Sequence, residues 1–425
     1  MTKFQLFSLL FLLPLFAAGQ DIKTEVVYRR SSLFTMMITE PSRKYADTIQ
    51  TTFINSPIPD KFNDHILDCR IIENGISESI KKRPEKIAAQ ELNITNFLNS
   101  NDIAKKMVAK WFNRQPDGSF NMGLVAERGS YDASEMDVNL ARSSKRGEAL
   151  LADAGEELIN NTFLIVNDFD YVSKEEVAKK VKVGLAILKE VALAVDEANK
   201  DENQKDEDNQ SALVDAIDVA DIGLTVVGKG YVVRTTSYLY QLDWNDSVAA
   251  VLYNEYWLDE NSDDIARKEA FENSDIFKLK LIGHEVAWAD LQSTIFTQKS
   301  EEDLVRIATV RAIDAVIAKL QKKYEVFRTK TPLYSIDPLS AKIGLKESLE
   351  KGDKFEVLEQ IQDKNGRTKY KRKGIIRVDK DQIWDNRYMA GEEPDEAKNP
   401  NAGLGYTIFN GTGKFYPGML IRQIN

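Results

Sequence analysis

With 425 residues, 43% of them hydrophobic and 29% charged, the chain is too long for one ordinary core and too apolar for a disordered polymer. A formal net charge of −10 argues against nucleic acid as a partner, because neutralising phosphates takes clustered Lys and Arg, and the runs Lys81-Lys82-Arg83 and Lys369 to Lys373 are short. The single Cys, Cys69, cannot form an internal disulfide, so packing must hold the fold.

Met1-Thr2-Lys3 is a short basic start, Phe4 to Ala18 is largely apolar, and Ala17-Ala18-Gly19 places small residues before Gln20-Asp21. That order of charged, apolar and small segments predicts a signal peptide over residues 1–19, cleaved after Gly19. With no Cys near the cut, an acylated N-terminus is not expected. The predicted location is therefore extracytoplasmic, periplasmic or outer-membrane-associated, and not that of a lipoprotein. No later run approaches the ~20 apolar residues of a spanning helix. The best candidate, Val181 to Val195, is interrupted by Lys182, Lys189 and Glu190.

Residues 20–101 read as an N-terminal arm with strand-like pieces at Lys23 to Tyr28 and Leu33 to Ile38, followed by a fixed turn at Ser56-Pro57-Ile58-Pro59-Asp60. Residues 102–330 read as the main domain. A short strand is expected at Met122 to Ala126, then a helix from about Ser134 to Asn160 opened by Asp132-Ala-Ser-Glu135. Thr162 to Asn167 reads as a buried strand, and Ser173-Lys-Glu-Glu176 opens a second helix running to about Ala198. Residues 196–211 are acidic and Asn-rich with nothing apolar to bury, and predict a mobile loop. A calcium loop would need a Gly at its sharp turn, and there is none.

The strongest strand pattern runs from Gly230 to Trp244. Tyr238, Tyr240, Leu242 and Trp244 alternate with Ser237, Leu239, Gln241 and Asp243. Asn245-Asp246 reads as a turn, Val248 to Leu258 as the partner strand and Phe277 to Val286 as a third. Ser300-Glu-Glu-Asp303 then caps an amphipathic helix with Val310, Ile313, Ile317, Leu320 and Tyr324 on one stripe. In residues 333–425, Lys354 to Gln360 and Lys369 to Val378 flank an Asn365-Gly366 hairpin turn, and Gly418 to Arg422 ends the chain as a strand. The predicted fold class is α+β, a mixed or antiparallel sheet with packed helices followed by a small C-terminal β-barrel.

Candidate chemistry is sparse. The chain has two His, so any Ser-His-Asp or Cys-His site must use His65 or His284. His284 falls in a predicted strand. Asp60, Asp64 and His65 follow the Pro turn and are the candidate metal group, but there is no second His and no recognised ligand spacing, and a turn whose Asp and Asn side chains bond backbone is the better reading. Asp168 and Asp170 share one face of a strand end, as a pair of catalytic carboxylates would. Tyr238, Tyr240 and Trp244 form an aromatic face of the kind that stacks on a sugar, and also of the kind that fills a core. Gly228-Lys-Gly230 lacks the upstream Gly and following helix of a phosphate loop, so no cofactor is implied.

The order strand, helix, strand, helix, antiparallel strands, helix over residues 120–325 resembles the periplasmic domain of the curli-secretion channel family and the N-terminal domain of TolB-like proteins. The tail, with Gly344-Leu345 and Lys351-Gly-Asp-Lys-Phe-Glu-Val357 before a Gly hairpin, is similar to small barrels of flagellar and outer-membrane assembly proteins. The style of the whole resembles an exported Bacteroidetes envelope family. With no catalytic constellation in the residues, the expected function is a non-catalytic binding or assembly module whose partner is an envelope protein or wall polymer. The alternative from the residues themselves is an extracytoplasmic hydrolase using carboxylates.

Overall fold

The computed structural model describes residues 31–77, 79–80, 83–129, 155–156, 158–173, 230–260, 262, 264–292, 299–362, 368–392 and 400–424. The predicted signal peptide, the strand at 23–28, most of the helices at 134–160 and 173–198, the acidic segment 196–211 and the 363–366 turn lie outside them.

The first sheet is mixed. Strand β1 (Ser31–Thr39) pairs in parallel with β2 (Phe62–Asp64) and then β3 (Ile71–Glu73) along one edge, and with β4 (Thr162–Ser173) along the other. The antiparallel strands β5 (Gly230–Leu242) and β6 (Leu279–Gln292) complete it, giving the order β2-β1-β4-β5-β6 with β3 beside β1. The N-terminal region thus supplies an inner strand. β1 is buried on both faces, which explains its nearly unbroken apolar run Leu33 to Ile38.

Helices cover both faces. On one lie α1 (Ala46–Asn55) and, much later in the chain after the turn at Ser300, the long helix Glu301–Lys323. Met37, Phe53, Phe169, Val233, Leu304 and Ala308 form one cluster there, and Leu33, Phe163, Leu239, Ile317 and Phe327 another. On the opposite face α2 (Arg83–Ser100) and α3 (Ile103–Trp111) bury Ile94, Leu98 and Met107 against Phe34, Met36, Leu164, Val166, Tyr238 and Tyr240. Ser300 Oγ accepts from Asp303 N at 3.1 Å, the expected cap.

Two expected strands are helices. Met122 to Ala126 falls in α4 (Gly123–Gly129), where Asn121 Oδ1 accepts from Gly123 N. A five-residue apolar run carries too little period to separate helix from strand. Val248 to Leu258 is helix α5 (Asp246–Val251), continued by a π-helical turn through Tyr256. Asn245, read as a hairpin turn, is its N-cap, with Oδ1 accepting from Ser247 N and Val248 N at 3.1 and 3.2 Å. Leu252 and Tyr256, four apart, then bury against Phe112, Trp244 and Phe277. After α6 (Ile265–Glu272) the chain enters β6, so the expected antiparallel third strand is present but pairs directly with β5. The helix Glu301–Lys323 is α7.

The second sheet comprises β7 (Thr331–Ile336), β8 (Leu339–Ala341), β9 (Lys354–Gln362), β10 (Thr368–Val378), β11 (Thr407–Asn410) and β12 (Leu420–Ile424), all paired antiparallel. The pairing runs β10-β11-β8-β7-β12-β9 and returns to β10. With its helices and two sheets the chain is an α+β protein.

Candidate functional site

The alternation of β4 puts Leu164, Val166, Asp168 and Asp170 on the face covered by α2. The apolar pair is sealed by helix. Beyond it the two acids reach a cleft of about 40 Å³ lined by Arg43, Lys86, Ile87, Gln90, Asp168, Asp170, Arg234, Thr236 and Tyr238. The two carboxylates named from the sequence are therefore brought together, but neither is bare. Arg43, from the turn between β1 and α1, donates Nη1 to Asp168 Oδ1 and to the Phe169 carbonyl, each at 2.5 Å. Burial alone would lower the Arg43 pKa, but the Asp168 charge and hydrogen bond outweigh it and hold the guanidinium firmly protonated. Asp170 faces Arg234 directly across the β4–β5 ladder, and Arg234 Nη2 donates to it at 2.8 Å. The same guanidinium lies 5.5 Å from the Trp288 ring centroid.

The roof is α2. Lys86, Ile87 and Gln90 share one face of that helix because they are one and four residues apart. Gln90 is 1% exposed, and neither its Nε2 nor its Oε1 has a hydrogen-bond partner. One position further along, Glu91 Oε1 lies 3.1 Å from His284 Nδ1, so His284 is a strand residue tied to α2. The sequence reading missed Arg43, Lys86, Gln90 and Arg234. Gln90 did leave a signal, a polar residue three after Ile87 and four before Ile94 on an otherwise apolar stripe.

The other candidates lie elsewhere. His65 is completely buried. Its Nδ1 is 3.2 Å from Arg128 Nη1 and its Nε2 is 3.0 Å from the Met107 carbonyl. Because Arg only donates, Nδ1 accepts, and Nε2 carries the proton it donates to Met107. Both nitrogens are thus spent within the protein, while Asp60 and Asp64 are exposed and Asp64 Oδ1 accepts from Ile66 N. Among the described residues no three His, Cys, Asp or Glu side chains are grouped to hold a metal ion. Tyr240 and Trp244 lie in the core at 1% and 7% exposure, and Tyr238 at 2% forms part of the cleft wall. Cys69 is half-buried beside the α2–α3 core.

A larger cleft of about 100 Å³ lies between the β7 approach and the main sheet, lined in part by Lys61, Arg328, Lys330 and Arg422. Its cations are already engaged. Arg328 donates to the carbonyls of Gln321, Lys322 and Gln423, and Arg422 pairs with Glu325 and Glu356. The smaller cleft, with an unpartnered buried amide, is therefore the better candidate site. No protein-family model matches the chain, and no curated protein does.

Proposed function

We propose that this chain is an exported, non-catalytic protein of the cell envelope that binds a partner protein or wall polymer. In this reading residues 102–330, with the preceding strands, form the binding domain, and the ring of strands in 333–425 is a small β-barrel module. The observation that carries it is the state of the two acids. Asp168 and Asp170 are each closed by a guanidinium, in a cleft far smaller than the roughly 300–1,000 Å³ of a small-molecule pocket. Ion-paired carboxylates are positioned charges. A catalytic carboxylate must be free to reach its substrate, which an arginine held in hydrogen-bond contact opposes. The charged, apolar and small segments of residues 1–19 support export, and the resemblance to envelope assembly domains belongs to the same reading. The hydrolase alternative draws on the placement of both acids in one cleft, and requires one of them to leave its arginine.

The test is recovery of the mature protein from its native envelope, with chemical analysis of what it captures. The expected result is a specific partner recovered unaltered. Turnover of captured material that is lost in Asp168→Asn or Asp170→Asn protein would overturn the reading in favour of the hydrolase.

A further inference from the structure

Within the binding reading, we propose that the cleft beneath α2 takes the carboxylate end of a peptide, with Lys86 holding the terminal carboxylate and Gln90 pairing with the last peptide group. Three observations on the cleft converge. Gln90 presents a donor and an acceptor, both buried and both unpaired. Buried polar groups are seldom left so, because each costs the desolvation a partner would repay. Another amide satisfies a carboxamide at both atoms, donating to Oε1 and accepting from Nε2. Lys86 sits one helical turn before Gln90 on the same face, half-buried, with no carboxylate partner among the described residues. The remaining charges cancel in pairs, Arg43 with Asp168 and Arg234 with Asp170, so the cleft carries the net charge of Lys86 and selects an anion.

Size then restricts the ligand. About 40 Å³ admits a few non-hydrogen atoms, enough for a carboxylate and part of its peptide group but not for a sugar ring or a long side chain. The rest of the ligand must leave the cleft toward solvent. An isolated small anion could accept from Lys86 and from Gln90 Nε2 but would leave Gln90 Oε1 without a donor, whereas a carboxylate joined to an amide satisfies all three.

The experiment titrates the full mature protein with N-acetyl-glycyl-alanine, with its C-terminal amide, and with acetate, following the thermal midpoint and heat of binding. The expected result is a saturable upward shift with the free acid, binding at least about tenfold weaker with the amide and with acetate, and a loss of about tenfold for the acid in Lys86→Met. Gln90→Leu is expected to abolish peptide binding while raising the midpoint of the unliganded protein, since it removes two unpaired buried atoms. Equal binding of acid and amide, acetate binding as tightly as the peptide, or no shift with any probe would overturn the proposal. So would a lower unliganded midpoint in Gln90→Leu, which would assign the amide to a structural water. Peptide failure with envelope capture intact sinks this inference alone. Cleavage of the probe would instead sink the non-catalytic reading and leave the site standing.

Discussion

A fully buried His and a partly buried Asp oppose one another in their pH response. Burial, reinforced by the neighbouring Arg128 charge and by Lys110, pushes the His65 pKa from its ordinary 6.5 down to about 3, against the favourable Met107 hydrogen bond. Between those values the unfolded chain binds the proton and the folded one does not, so His65 removes stability as pH falls below 6.5, by roughly 4–5 kcal/mol at pH 3. Asp314 on α7 behaves in reverse. Burial, with Glu347 adding repulsion, raises it from 3.8 to about 6 despite Lys346 and Lys61. Here the folded state holds the proton between pH 3.8 and 6, so stability rises on acidification through that window, by roughly 3 kcal/mol. The two nearly cancel between pH 6 and 4. Asp314→Asn is expected to expose the His65 loss, a fall of roughly 1 kcal/mol per pH unit over that range relative to the parent protein. Replacing His65 with Gln, which keeps a donor for Met107 and an acceptor for Arg128, should make the protein more acid-resistant. Urea midpoints at pH 7, 6, 5 and 4 check both, and parallel curves for parent and variants would refute the assignment.

At the scale of elements, the β5–β6 ladder carries an irregularity with a clear cause. Leu239 pairs with Gly283 and Tyr240 with Leu281, leaving Ile282 as the extra residue of a bulge. Gly283 has φ 152°, and a Cβ there would run into the Tyr324 hydroxyl, which donates to the His284 carbonyl at 3.1 Å. Tyr324, together with Lys319 on the Val286 carbonyl, occupies the outer edge of β6. Gly283→Ala is expected to destabilise the protein by roughly 2–4 kcal/mol, from backbone strain plus overpacking. Tyr324→Phe should cost only about 1 kcal/mol, the value of one hydrogen bond. Denaturant midpoints distinguish the two, and a neutral Gly283→Ala would show that the bulge relaxes freely.

The same ladder explains what the sequence made legible. The period-two pattern of β5 and the Ser300 cap of α7 are local signals, readable because side-chain direction follows from spacing alone. That pattern also placed Asp168 and Asp170 on one face. Arg43, Lys86 and Gln90 reach the acids only after β1 is inserted beside β4 and α2 is laid across them, and nothing local encodes that. Asn245 misled for the opposite reason, since one residue type serves both turns and helix caps. α7 shows a wider buried surface than its predicted stripe because it meets the sheet, α1 and the second sheet's side at once.

For the whole molecule, the cores show how the two sheets relate. The cluster within the second sheet, including Leu333, Ile343, Phe355, Val357, Ile376, Phe409 and Ile421, draws every buried member from residues 333–421. Met389 packs against the cluster of α1, α7 and the first sheet, and the other links to the remainder named here are polar. Lys322 Nζ donates to the Ser348 carbonyl at 2.7 Å, and Lys346 lies 3.6 Å from Asp314. Lys61 lies 3.7 Å from Glu347, and Arg311 donates to the Tyr388 carbonyl at 2.9 Å. A private apolar core joined to its neighbour by polar contacts and a single methionine is the anatomy of a domain that folds alone. A fragment spanning residues 330–425 is therefore expected to unfold in one cooperative transition with a β-type circular dichroism spectrum. Its stability should fall within a few kcal/mol of the marginal range usual for a chain of about one hundred residues. The return of β9 to β10 through β12, β7, β8 and β11 removes most free strand edges, so the fragment should also remain monomeric. If it is instead unstructured or aggregates, the polar seam with α7 is an obligate part of the fold. Substituting Lys346 and Lys322 by Ala would then lower the stability of the full chain as a single transition, where an independent domain would separate into two.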